Sequence, residues 1–223
     1  MFARGYFRAG RTCIPAGAPV LFLALAIPAA ALAEQNLQPI ELPKAQITGG
    51  MPLMQALALR RTTRAFGDEA LPLQTLSNLL WASFGVNRSR GVKAGLGRTA
   101  PSAMNSQDIE IDVVLATGIY IYEAEANQLR PVAAGDARAK ICQPGGEKAA
   151  VTLVFVAPAK DDFAQVDAGF IGQNAYLFAA SEGLNAWFYA LHGQQDATAI
   201  AAALHLAAGK RPLYAESVGF PPR

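Results

Sequence analysis

Residues 151–157, Val-Thr-Leu-Val-Phe-Val-Ala, form a near-continuous apolar run. A strand of that composition belongs in the middle of a sheet, where both of its faces are covered. The neighbouring segments supply the rest of the sheet. Ile109, Ile111 and Val113 alternate with Glu110 and Asp112, the period of a half-buried strand. Gly118 marks a turn, residues 119–123 return as a second strand, and residues 128–132 add a short third. Residues 185–191 and 213–220 read as the last two strands. Helical spacing places Leu53, Met54, Leu57 and Ala58 on one face of a helix over residues 51–61. A second helix covers 73–86, with Pro72 at its start and Gly85 at its end. A third, over 167–182, is so apolar that burial on several sides is expected, with Gly183 as its cap. An alanine-rich helix follows at 196–206, and the Gly-, Arg- and Lys-rich stretch 87–100 reads as a mobile loop. Helices first, then a hairpin, then strands alternating with helices give an α+β layout with a mixed sheet.

The first 33 residues stand outside that pattern. Arg4, Arg8 and Arg11 form a basic start, an apolar run extends over 16–32, and Ala31-Leu32-Ala33 precedes Glu34. These are the marks of a cleavable secretory signal peptide, so a periplasmic or secreted protein without a stable membrane anchor is expected. Pro19 and Pro28 interrupt the run, which is short of the roughly 20 apolar residues a span requires. Cleavage removes three of the 19 basic residues and leaves 16 against 17 acidic ones. The apparent basicity belongs to the export signal, which argues against a nucleic-acid partner. Residues 34–50 form a polar, proline-containing leader expected to run extended over the surface. The domain proper is then 51–223. One cysteine, Cys142, remains, so no internal disulfide can form. His192 and His205 are too few and too separated for a metal site, and no metal is expected.

Two short blocks carry chemistry. Arg60-Arg61-Thr62-Thr63-Arg64 brings three guanidinium groups and two hydroxyls together where the first helix ends. Guanidinium forks pair with phosphate oxygens, and an extended backbone sets Arg60, Thr62 and Arg64 on one side. The same five residues also suit a solvated basic helix end. In the second block, Pro101-Ser102-Ala103-Met104-Asn105-Ser106-Gln107, Ser102, Asn105 and Gln107 offer polar groups and the small residues allow close backbone approach.

The pair of blocks, some forty residues apart, resembles the nitroreductase family of flavoproteins. So do Glu182-Gly183-Leu184-Asn185-Ala186 and the closing Val218-Gly219-Phe220-Pro221. The resemblance runs over 51–223 and is nearest the branch that includes the oxidases of azoline-forming peptide pathways. It implies an α+β fold with a mixed central sheet, helices on both faces and an intertwined homodimer binding FMN at the subunit interface. Arg60, Arg61, Thr62 and Arg64 would contact the phosphate, ribityl chain and pyrimidine edge. Pro101, Ser102, Ala103 and Asn105 would line the flavin from the other subunit. Phe188, Tyr189 and Ala190 would lie against the ring system, with a backbone N–H near Ala190 facing N5, and Arg223 would be a late basic residue at the phosphate. For Tyr189 the alternatives are a substrate contact and a packed strand aromatic, and the packed aromatic is the favoured reading.

The chain also departs from the family. It lacks a clear lysine near Gly145-Gly146 and a helical cover between Ala134 and Ala150, and Leu191 stands where glycine is usual. The function implied is an exported FMN-dependent oxidoreductase acting on a small molecule, with NAD(P)H, a quinol or a redox partner as donor. An exported flavin-binding protein without turnover, and an exported structural domain whose arginines bind acidic partners, remain alternatives.

Overall fold

A computed structural model describes residues 37–89, 96–191 and 197–223. The signal-peptide segment and His192 lie outside the described residues. Among the described residues, nine strands and five helices follow one another: β1 (Ile40–Glu41), α1 (Leu53–Leu59), α2 (Leu73–Phe84), β2 (Val86–Arg88), β3 (Gly97–Arg98), β4 (Glu110–Leu115), β5 (Gly118–Glu123), β6 (Gln128–Ala134), α3 (Arg138–Ile141), β7 (Val151–Pro158), α4 (Ala164–Ser181), β8 (Asn185–Ala190), α5 (Ala197–Ala203) and β9 (Lys210–Gly219). Short 3₁₀ turns occupy Ala103–Asn105 and Gly146–Lys148.

Seven strands form one sheet in the order β1-β6-β5-β4-β7-β9-β8. The α+β class holds, with one correction. Every pairing in this sheet is antiparallel, so the sheet is not mixed in direction. The apolar run 151–157 is β7, an interior strand buried along its length as its composition requires. Its two faces serve two cores. On one, Leu79, Leu80, Ile111, Phe155 and Ile171 pack under α2 and α4. On the other, Ile141, Val154, Trp187, Ile200 and Leu204 pack under α3 and α5. Helices therefore cover both faces, and each fully buried large side chain contributes about 1.5–3 kcal/mol.

Several segments differ from the sequence expectation, each for an identifiable reason. Within the segment expected as a leader, Ile40 and Glu41 add an edge strand against Leu129 and Gln128. Val86, expected to end the second helix, and residues 87–88 and 97–98, expected within a loop, form a two-stranded ribbon. The first helix forms, yet its Leu53, Met54 and Leu57 are exposed and only Ala56 is buried. α4 buries Ala164, Asp167, Ala168, Ile171, Gly172, Ala175 and Ala179, a single stripe, rather than several sides. Phe163, Val166 and Phe170 remain exposed beside it. The helix is capped by Gly183 at φ +70°, where a side chain would be strained. No helix among the described residues is long and apolar enough to cross a membrane.

Candidate functional site

α1 ends at Arg60, and the chain then runs extended beside the edge strand β8. Thr63 fastens it there: its backbone N–H donates to the Ala186 carbonyl at 2.9 Å, and its hydroxyl accepts from the Ala186 N–H at 3.1 Å. An extended backbone throws successive side chains to opposite sides. Arg60 and Thr62 both meet Tyr176 of α4. The Arg60 guanidinium carbon lies 5.3 Å from the Tyr176 ring centroid, and Thr62 Oγ1 is 2.9 Å from the Tyr176 hydroxyl. The Arg64 guanidinium carbon lies 5.2 Å from the Trp187 ring. Cations held over aromatic faces are steadied without losing their charge. Arg61 and Thr63 line a cavity of about 210 Å³ together with Tyr176, Ala179, Leu184 and Asn185. Among the described residues, none of Arg60, Arg61 and Arg64 pairs with a carboxylate. Guanidinium groups without a carboxylate partner keep their N–H donors free to pair with anionic oxygens.

The second block is built differently. Met104, Asn105 and Gln107 have φ of 56°, 57° and 53°, a left-handed backbone that non-glycine residues seldom adopt. Its neighbours hold it. Gln107 N–H donates to Ser102 Oγ at 3.0 Å, and the Gln107 amide donates to the Leu96 carbonyl and Asn105 Oδ1. Arg98 Nε donates to Gln107 Oε1, and its guanidinium lies over Phe84. Ala103 N–H donates to Asp167 Oδ1 at 2.8 Å, tying the block to the first turn of α4. Burial pushes the Asp167 carboxyl up, against the opposing pull of that amide. Pro101 is exposed, and Ser102, Ala103 and Asn105 are half-buried.

The two blocks do not meet within the chain. They grip α4 at Asp167 and at Tyr176, nine residues apart, which is about 13 Å along a helix. No described cavity is lined by both.

β8 supplies the third group. Phe188 is half-buried and stacks on Phe155 and Tyr214, at 5.7 and 5.0 Å. A Cβ on Gly172 of α4 would come within 2.6 Å of that ring, so only glycine fits above it. Tyr189 points to the opposite core and is 6% exposed, which decides for the packed aromatic. Its hydroxyl lies 3.1 Å from Ser217 Oγ, in a buried polar cluster that continues through Thr152 to Cys142. Tyr189 can therefore offer a ligand only its backbone. Burial pushes the Cys142 thiol up, the opposite of what a nucleophile needs. Ala190 is half-buried, and its carbonyl accepts from the Gln143 side chain at 3.3 Å. Arg223 lies apart from Arg60 and Arg61. It pairs with Glu69 at 2.9 Å and lines a cleft of about 590 Å³ with Phe66, Arg138 and Lys148.

Sequence reasoning missed Tyr176, Trp187, Gln143 and Lys148. Tyr176 and Trp187 stand in apolar segments where an aromatic reads as core, and Gln143 and Lys148 stand in the segment 134–150. That segment is short, as expected: it forms only α3 and one turn. Two further buried acids bear on the electrostatics. Among the described residues, neither oxygen of Asp112 or of Glu216 has a hydrogen-bond partner. Burial pushes Asp112 up to about 8 and Glu216 well above the usual carboxylate range.

With this geometry in hand, comparison with known proteins gives the class. A family model described as "Nitroreductase family" matches residues 57–220, which include both blocks. The chain belongs to the Nitroreductase family, and so to a class of oxidoreductases. A Ralstonia eutropha JMP134 protein named for the nitroreductases is 34% identical, with a TM-score of 0.73 over 83% of this chain and 90% of that one. Two more distant structures share the fold alone. One, from Anabaena variabilis ATCC 29413 and also named for the nitroreductases, is 22% identical with a TM-score of 0.68; the match covers 82% of this chain and 42% of that one. The other belongs to the Escherichia coli microcin synthetase McbBCD complex with truncated pro-MccB17, at 19% identity and a TM-score of 0.60, over 91% of this chain and 85% of that one. No curated protein matches the sequence.

Proposed function

We propose that the chain is an exported, FMN-dependent oxidoreductase that works as a homodimer. The observation that carries this reading is the set of guanidinium groups of Arg60, Arg61 and Arg64, unpaired among the described residues, beside β8. That donor set fits the phosphate and the pyrimidine edge of FMN. Arg60, Arg61 and Thr62 hold the anionic arm, and Arg64, braced on Trp187, stands nearer the ring and stabilises negative charge there. Phe188, the backbone of Tyr189 and Ala190 form the wall. Bound FMN supplies hydride transfer between a donor and an organic acceptor, and the protein supplies position and field. Arg223 reaches the phosphate only by giving up Glu69.

The dimer completes the site. Leu53, Met54 and Leu57 on α1 and Phe163, Val166 and Phe170 at α4 are exposed, more apolar surface than a lone chain usually shows. A two-fold axis across α4 would lay the Asp167 end of one copy beside the Tyr176 end of the other. Pro101, Ser102, Ala103 and Asn105 of one protomer would then face Arg60, Thr62 and Arg64 of its partner. The test is the purified chain itself: a yellow dimer, with an FMN absorbance band or stoichiometric uptake of added FMN, is expected. A colourless chain that takes up no FMN overturns the reading.

The short segment between β6 and β7 supports a second reading, an exported flavin-binding protein without turnover, because little chain is left there to cover a ligand. Anaerobic titration of bound flavin with NAD(P)H, a quinol and a reduced redox protein separates the two. Reduction by one of them, followed by reoxidation with an organic acceptor, supports the enzyme.

A further inference from the structure

The structure assigns to Tyr176 a role as the positioning residue of the anion site: its hydroxyl closes a hydrogen-bond relay that runs from the Phe188 amide to Thr62 and leaves the Thr62 hydroxyl as a donor to phosphate. For its ligand, this inference rests on the FMN reading above.

The direction of the relay follows from counting protons. The Phe188 N–H donates to the Tyr176 hydroxyl at 2.8 Å, so that oxygen is already an acceptor. Tyr176 has one proton of its own to place. Among the described residues, the recorded acceptor for it is Thr62 Oγ1, at 2.9 Å. If Thr62 donated instead, the tyrosine proton would find no recorded acceptor among the described residues. With Tyr176 donating, Thr62 accepts one hydrogen bond and keeps its own proton for a third group. Thr62 is exposed and stands between Arg60 and Arg64, where the arriving acceptor is an anionic oxygen. Each donor in such a chain polarises the next.

The anchor of the relay is stiff. Phe188 is clamped between Phe155 and Tyr214, with Gly172 pressed against its ring one turn before Tyr176. Tyr176 also carries Arg60 over its ring. One side chain thus sets the position of two members of the pentad against the sheet, through two separable features, its hydroxyl and its ring.

Substitutions can divide those features. Tyr176→Phe keeps the ring beneath Arg60 and removes the relay, whereas Thr62→Val removes the last donor and leaves Tyr176 intact. FMN and riboflavin are titrated against the wild-type chain, both variants and the double variant by flavin fluorescence. Each single variant is expected to weaken FMN about tenfold, the worth of one charge-assisted hydrogen bond, and riboflavin by less than twofold. The double variant should be no worse than Thr62→Val alone, because both interrupt one chain. Equal losses for FMN and riboflavin, additive losses in the double variant, or an unchanged FMN affinity would overturn the relay while leaving the FMN reading in place. A wild-type chain that binds no FMN overturns both. Should Tyr176→Phe fail to fold, Thr62→Val decides: an FMN-selective loss sustains the relay, and none removes it.

Discussion

The two blocks of the proposed site are built in opposite ways. The stretch 60–64 is regular backbone carrying unusual side chains: extended, fastened to Ala186 through Thr63, with its charges steadied on Tyr176 and Trp187. The block 101–107 is unusual backbone carrying ordinary side chains. Three of its non-glycine residues are left-handed, and Ser102, Gln107 and Asp167 hold them so. A cationic site needs reach and charge, which side chains provide. A wall against a flat ligand needs shape, which the backbone provides at a cost of about 1–3 kcal/mol for each strained residue.

The sharpest way to break this comparison is to remove the charges of the first block. Arg60→Ala with Arg64→Ala is expected to lower FMN affinity about 100-fold or more, since each charge-assisted contact is worth roughly 1.5–3 kcal/mol. Thermal stability should barely move, because neither arginine has an ion pair among the described residues. Equilibrium binding and a melting curve on the same sample check both halves.

The second block should respond in stability instead. Asp167→Ala strips the acceptor from the Ala103 amide and releases the strained turn. A loss of about 2 kcal/mol in urea unfolding is expected. Asp167→Asn, whose amide oxygen can still accept, should recover most of it.

The pH response sharpens the same contrast. Burial raises the folded-state value of Asp167, so the folded protein holds that proton more tightly than the unfolded chain. The associated stability is complete below the unfolded carboxylate value of about 4 and falls as pH rises through the folded value. Asp112 and Glu216 are shifted the same way and add to the fall. The share of Asp167 is therefore read as the difference between wild type and Asp167→Asn, whose unfolding free energy should decline less steeply above pH 4. A steeper decline in Asp167→Asn would reverse the assignment.

The smallest effect tests the backbone strain alone. Met104 is 73% exposed at φ 56°, so Met104→Gly loses little packing and gains a residue suited to that conformation. A gain of about 0.5–1 kcal/mol is expected from urea unfolding.

Much of the architecture was legible in the sequence because it is written in local periodicity. The run at β7, the alternation at β4, the proline before α2 and the glycine after α4 each act on their own segment, and each element formed within a few residues of its expected place. The arginine block was legible for a related reason: three arginines within five residues are conspicuous however the chain folds. Faces were less so. The pattern in α1 placed Leu53, Met54 and Leu57 together correctly, but nothing local says whether a helix stripe meets its own chain or is left open. The sheet direction was misjudged because strand pairing is a property of distant segments. Tyr176 went unread for the same reason: in sequence it is one aromatic in an apolar helix, 114 residues from Thr62.

The sequence by itself therefore determined the elements, the α+β class and the charge brought to the site, since these depend on spacing and on residue chemistry. Only the tertiary structure decided which partner each side chain would find. It buried Tyr189, drew Arg223 to Glu69, strained the backbone at Met104 and Asn105, and set the Tyr176 hydroxyl between Phe188 and Thr62. Those outcomes depend on contacts between segments far apart in the chain, and no local pattern encodes them.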